Sequence, residues 1–166
     1  MKVRIFILLV FVMLFGAIWS YEKAKETHGN LENVAMKISE GPPCVKLYDY
    51  LIKYSEKHGV PFQIAYRVAQ VESGYEGPFH WKYNPALTSP MNAYGAMQVQ
   101  APTASFIWKR KVSPKELLNN LEFNVETGVM VLKYYHSLCG RWDIALGYYN
   151  TGRPMVNNYS IKIMKD

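Results

Sequence analysis

The sequence predicts a mainly α-helical domain behind an apolar N-terminal segment. Apolar residues recur at i, i+3, i+4 and i+7 in several stretches, and glycine or proline bounds most of them. No run alternates cleanly between apolar and polar residues, so little sheet is expected. A chain of 166 residues with 49% hydrophobic and 14% aromatic content has enough apolar mass for one real core, which excludes a disordered chain.

Taken in order, Lys2 and Arg4 precede an unbroken apolar run over 5–19. Its length suits a signal segment and is short for a membrane span. Ile18-Trp19-Ser20 is a poor cleavage site, with Ile where a small residue belongs, so residues 1–20 read as either a signal peptide or a retained inner-membrane anchor. Either form leaves Lys2 and Arg4 in the cytoplasm and exports the rest, to a periplasm or beyond. Residues 21–43 mix charges and polar groups and end in Gly41-Pro42-Pro43, the composition of a linker, with a turn or two of helix expected around Leu31 to Met36. The globular part is then 44–166.

Val45, Tyr48, Leu51, Ile52 and Ser55 mark a first helix that Gly59 closes. Pro61 to Gly74 forms a second, with Pro61 suited to the first position. Ala65, Val68, Ala69 and Glu72 share one face of it. That face is apolar until Glu72, which is aimed along the buried side at the helix's C-terminal mouth. Burial and the negative helix end both disfavour the charged form, so such a carboxyl keeps its proton near neutrality and can donate it. The same residue also fits a solvated glutamate at a frayed helix end.

From Tyr75 to Tyr94 prolines and glycines break every period, yet the stretch carries Tyr75, Phe79, Trp81, Tyr83 and Tyr94. These aromatics suit stacking on sugars, a lid, or a satellite core. Gly95 to Gln100 is a compact turn. Thr103 to Lys109 is a short helix. Ser113-Pro114-Lys115-Glu116 is a capping box opening a helix that stops at Asn119-Asn120. Val125, Gly128, Val129, Leu132, Tyr135 and Cys139 mark the longest helix, ended by Gly140. Trp142 to Tyr149 is another, Asn150 to Pro154 a turn, and Pro154 to Met164 the last helix, with Val156, Tyr159 and Ile163 on one side.

Two cysteines, Cys44 and Cys139, each sit at the edge of an expected helix inside the globular part. In an exported domain they can form a disulfide, whose loop of about a hundred residues would contribute roughly 4 to 5 kcal/mol in the chain-entropy model. Two unpaired thiols are equally consistent. His28, His58, His80 and His136 have no ligand spacing, so no metal site and no cofactor is expected. The net charge is +6, or +4 once Lys2 and Arg4 are removed with the leader. That favours polyanions such as anionic lipid or cell wall polymer. Without a dense basic run or a basic reading helix, nucleic acid is not an expected partner.

Four segments in order, Val71-Glu72-Ser73, Tyr94 to Val99, Phe123 to Gly128 and Ala145 to Gly152, resemble the soluble lytic transglycosylase (SLT) domain. The resemblance covers roughly Val45 to Met164. It implies a lysozyme-like single helical domain that cleaves peptidoglycan glycan strands at the MurNAc–GlcNAc β-1,4 bond. It makes Glu72 the catalytic acid/base and Ser73 its hydrogen-bonding neighbour. Gly95, Met97 and Gln98 match the Gly-Leu-Met-Gln segment lining the glycan cleft, and Tyr149 and Asn150 match the Ala-Tyr-Asn segment facing it. Ala96 stands where leucine is usual, which trims the cleft wall; Tyr148 replaces a small residue; and the loop between Ser73 and Gly95 is longer than the common form.

Acids near Glu72 are few, which suits a one-acid mechanism in which the substrate's N-acetyl group supports the sugar cation. The resemblance implies the last step, ring closure by the C6 hydroxyl to a 1,6-anhydro-muramic acid end. A hydrolytic muramidase with Glu76, Glu126 or Asp143 as second carboxylate is a competing reading. So is a non-catalytic peptidoglycan-binding component of an envelope machine. The small size without an added wall-binding domain suits a local gap-maker for a secretion, conjugation or phage entry apparatus.

Overall fold

The computed structural model describes residues 41–165, together with Ser20, Glu22 and Lys23. The chain divides into two units, Met1–Glu40 and Gly41–Asp166. The apolar run 5–19 and the helical turns expected at 31–36 lie outside the described residues. Among the described residues no helix is long and apolar enough to cross a membrane.

The second unit is helical, with one small hairpin. Helix α1 is Pro43–His58 and α2 is Phe62–Ser73; strands β1, Ala93–Tyr94, and β2, Val99–Gln100, follow; then come α3, Ala101–Trp108, α4, Pro114–Asn119, α5, Leu121–Cys139, α6, Trp142–Thr151, and α7, Asn158–Met164. The strands pair antiparallel, Ala93 opposite Gln100 and Tyr94 opposite Val99. The compact turn expected at Gly95 to Gln100 is thus a hairpin tip running into its second strand.

Helix α5 is the axis of the domain. It packs against α1, α3, α4, α6 and β2. Its inward face buries Val125, Gly128, Val129 and Leu132 completely or nearly so, as its spacing requires. Asn120 caps it, accepting from the Phe123 N–H at 2.9 Å, and Gly140 ends it at φ 68°. Helix α1 lies along α5 with Leu47 and Leu51 buried. At its solvent edge Lys53 pairs with Glu122 at 2.7 Å and Lys57 with Glu126 at 2.6 Å.

Most element ends fall within a residue or two of the sequence reading; three details differ. Helix α6 continues through Asn150 and Thr151 and stops at Gly152, at φ 70°, where a turn was expected. Helix α7 begins at Asn158. Its start is a reciprocal cap, in which Asn157 Oδ1 accepts from the Ser160 N–H at 2.9 Å and Ser160 Oγ accepts from the Asn157 N–H at 3.0 Å. Pro154 to Val156 are therefore loop. The Ser113 box is half formed, because Ser113 Oγ accepts from Glu116 N at 3.2 Å while the Glu116 carboxylate pairs with Arg110.

The disulfide expectation is corrected: Cys44 and Cys139 are both free. The α1–α5 register explains it. Lys53 and Lys57 meet Glu122 and Glu126, so Cys44, near the start of α1, lies beyond one end of α5, while Cys139 closes the other. Cys44 Sγ instead contacts Pro78 O at 3.2 Å, and the Cys44 carbonyl accepts from the Tyr75 hydroxyl at 2.7 Å.

One fully buried polar side chain ties the hairpin to the axis. Asn124 Oδ1 accepts from the Met97 N–H at 2.9 Å, and its Nδ2 donates to Tyr94 O at 2.8 Å and Leu117 O at 3.2 Å. Asn124→Ala strands one donor and two acceptors in a dry core. At ~1 kcal/mol or more for each orphaned group, the loss is about 3 kcal/mol. Thermal unfolding should show a melting temperature lower by several degrees; an unchanged one would remove Asn124 from this role.

Candidate active site

Glu72 sits in the last turn of α2, which Gly74 closes at φ 66°. The helix buries Ile64, Ala65, Val68 and Ala69, so its apolar stripe fixes the rotation that turns Glu72 inward. Its carboxyl lies on the wall of a cleft of about 450 Å³. The hairpin supplies Ala93, Gln98, Val99 and Gln100 to this cleft, with Ser89 and Met91 from the loop before it. Thr103 of α3, Val131 and Tyr135 of α5, and Tyr148 to Gly152 at the end of α6 complete the lining.

Glu72 is the sole carboxylate on that lining. Its pKa is raised, chiefly because burial disfavours the anion, and a hydrogen bond from Tyr159 acts in the opposite direction. The Tyr159 hydroxyl donates to Glu72 Oε1 at 2.5 Å. Burial and the negative charge of Glu72 push both Tyr159 and Tyr149 well above the ordinary phenol range. The phenols stay protonated, and the carboxyl is the group in this cluster that exchanges a proton.

The acids weighed as second carboxylates lie off the cleft. Glu126 is held by Lys57 and by His58 Nε2 at 3.2 Å. Asp143 pairs with Arg141 at 2.6 Å. Glu76 faces His80 Nδ1 at 3.5 Å on the loop after α2. Among the described residues no three His, Cys, Asp or Glu side chains gather as a metal site.

The motif residues divide into lining and scaffold. Glu72, Gln98, Tyr149 and Asn150 border the cleft. Asn150 is exposed, with Oδ1 accepting from Asn157 Nδ2 at 3.3 Å. Gln98 adopts φ 47°, a costly conformation for a residue with a side chain, and its Nε2 donates to Gly95 O at 2.9 Å. Ser73, Gly95 and Met97 are not on the lining. The Ser73 hydroxyl donates to Ala69 O at 2.9 Å and meets Tyr83 Oη at 2.8 Å, not Glu72. Gly95 is buried at φ 77°, and a Cβ there would stand 2.3 Å from Asn124 Nδ2, so only glycine lets that amide approach. Met97 is fully buried; its N–H goes to Asn124 and its carbonyl accepts from the Tyr149 hydroxyl at 2.6 Å. Ala96, expected on the cleft wall, is fully buried behind it.

Sequence reasoning assigned Tyr159 only to a helix face. A tyrosine four residues before the buried Ile163, on a stripe that packs toward α2, was the available signal. The loop aromatics separate cleanly. Tyr75 and Tyr83 are buried edge to face, with centroids 5.1 Å apart, while Phe79 and Trp81 are 86% and 69% exposed.

The described domain is thus helical, with one half-buried carboxyl at a helix end beside a partly aromatic cleft. The family model described as "Transglycosylase SLT domain" matches residues 49–164, and the chain belongs to that family. Lytic transglycosylase Slt from Pseudomonas aeruginosa, solved as an inactive mutant, is similar over 61% of this chain and 16% of its own, at 19% identity and a TM-score of 0.51, a likeness of fold. The 70 kDa soluble lytic transglycosylase SLT70 from Escherichia coli is similar over 63% of this chain and 16% of its own, at 29% identity and a TM-score of 0.54. The chain thus corresponds to a small part of the length of either. No curated protein matches it.

Tyr159 favours the ionised form of Glu72, so Tyr159→Phe should raise the carboxyl's pKa further. A carbon-13 NMR titration of the Glu72 carboxyl should therefore move to higher pH in Tyr159→Phe; a titration that stays in place would mean that the phenol does not tune Glu72.

Proposed function

We propose that this chain is an exported peptidoglycan lytic transglycosylase in which Glu72 is both acid and base. The observation that carries the reading is the solitary, half-buried Glu72 on the lining of the cleft of an SLT-family domain. The protonated carboxyl gives its proton to the glycosidic oxygen between MurNAc and GlcNAc. The bond from MurNAc C1 to that oxygen breaks, and the GlcNAc chain leaves with a free 4-hydroxyl. The substrate's N-acetyl oxygen supports the positive C1, with Asn150 orienting that group through its amide N–H. The C6 hydroxyl then bonds to C1 and returns its proton to Glu72. The carboxyl is restored and no water is consumed. A hydroxyl already attached to the reacting sugar has a high effective concentration, so it outcompetes water that no second carboxylate activates.

Ser73, Gly95, Met97 and Tyr149 serve this reading indirectly. Tyr149 and Asn124 hold the hairpin tip, and the tip presents Gln98 to the strand. The apolar run 5–19 behind Lys2 and Arg4 would deliver the domain to the periplasm, or hold it at the inner membrane facing the wall. From there it would open glycan strands locally for an envelope-spanning secretion, conjugation or phage apparatus.

Glu72→Gln keeps the shape and removes the proton. Turnover of purified wall should fall by ~10²-fold or more, while melting at neutral pH stays the same or rises. The sign follows from linkage. A carboxyl whose folded pKa lies above its unfolded value withdraws stability as pH rises through that interval, and the amide removes the penalty. A variant clearing wall at near the unsubstituted rate would refute the assignment. Mass spectrometry of the digest should show 1,6-anhydro-muramic ends, one water lighter than hydrolysis products. Mainly free reducing ends, labelled from heavy-oxygen water, would make the protein a muramidase.

A reporter fused after Pro43 should be active only outside the cytoplasm. Cytoplasmic activity would defeat the export assignment.

A further inference from the structure

The cleft does not stop at its lining. Tyr148 packs on Tyr135 with ring centroids 4.2 Å apart, and both line the cleft. Tyr135 meets Tyr134 at 5.6 Å, and Tyr134 meets Phe106 edge to face at 5.2 Å. Four rings in contact thus run from the cleft to Phe106, which is 61% exposed.

The helices on that side carry their lining faces outward. On α3, Thr103 lines the cleft and Phe106 follows three residues later; on α5, Val131 lines it, and Tyr134 and Leu138 follow at three and seven. Leu138 is 56% exposed. A strip of touching aromatic rings leaving the cleft, with the exposed Leu138 one helical turn from Tyr134, is surface that a domain does not need for its core. A sugar ring presents a flat face of C–H groups between hydroxyl edges, and the face of an aromatic ring is its natural partner.

We propose that Tyr148, Tyr135, Tyr134 and Phe106 form a track that holds sugars of the glycan strand beyond those in the cleft. The inference rests on the reading that this chain cleaves glycan strands. The track gives the protein a preference for long strands over short fragments, because each added sugar on it gains a ring contact while the cleft contacts stay fixed. It commits the exposed face of Phe106 and Leu138 to substrate and not to a partner protein.

The test uses the full chain carrying Glu72→Gln, so that strands bind without being cut. Peptidoglycan tetrasaccharide and octasaccharide are titrated by calorimetry. The octasaccharide should bind more tightly, and Phe106→Ala with Tyr134→Ala should remove about tenfold of that gain. Affinity for the tetrasaccharide should change by no more than about twofold. Phe106→Tyr, which keeps the ring, should restore the gain, an effect that a purely structural role for Phe106 does not predict. Equal weakening for both lengths, or an unchanged ratio between them, overturns the track and leaves the cleavage reading standing. A chain that binds neither oligosaccharide overturns both.

Discussion

The structure depends on one buried amide. Asn124 satisfies the N–H of Met97 and the carbonyls of Tyr94 and Leu117 from inside the core. A two-residue hairpin has almost no stability of its own; this one exists because α5 supplies the partners that a wider sheet would have given. Gly95 is the reciprocal half of the contact, since any side chain there would occupy the place of the amide. Once the hairpin is fixed, Gln98 can be held at an unfavourable φ on the cleft wall, with the cost borne by the contacts on either side of it. The polar bond in the core thus serves the site as much as the fold.

The second constraint is the scarcity of charge in the cleft. In the reaction we propose, one carboxyl, half-buried and hydrogen-bonded by a phenol, acts as an acid and then as a base. Burial favours its first state and Tyr159 its second. Neither influence may dominate, because a carboxyl fixed in one state completes half of the cycle. The acids that could disturb this balance are tied to Lys57, Arg141 and His80, away from the cleft.

The helices were legible because their apolar spacing and glycine stops are local signals. Gly59, Gly74 and Gly140 each end a helix where the spacing ends. The start of α7 was misread because Pro154 resembles a first helical residue, while the deciding cap lies between Asn157 and Ser160. Glu72 was legible as the end of an apolar stripe. Tyr159 was not, because its partner is 87 positions away. Ser73, Gly95 and Met97 sit in the recognised segments, yet spacing alone could not separate residues that touch the cleft from residues that hold it. Ser73 looked like a neighbour of Glu72 and is one in sequence, but its hydroxyl turns to Ala69 and Tyr83. The disulfide expectation failed for a similar reason: two cysteines in one compartment say nothing about the register of the helices between them.

Both backbone polar groups of Met97 are engaged by side chains, the N–H by Asn124 of α5 and the carbonyl by Tyr149 of α6. Its own side chain is sealed in the core. The hairpin tip at Met97 therefore lets go only when its bonds to both helices break. Amide exchange at Met97 should report the global unfolding free energy rather than a local fluctuation. A chain in which those two helices part loses both anchors of the hairpin tip at once.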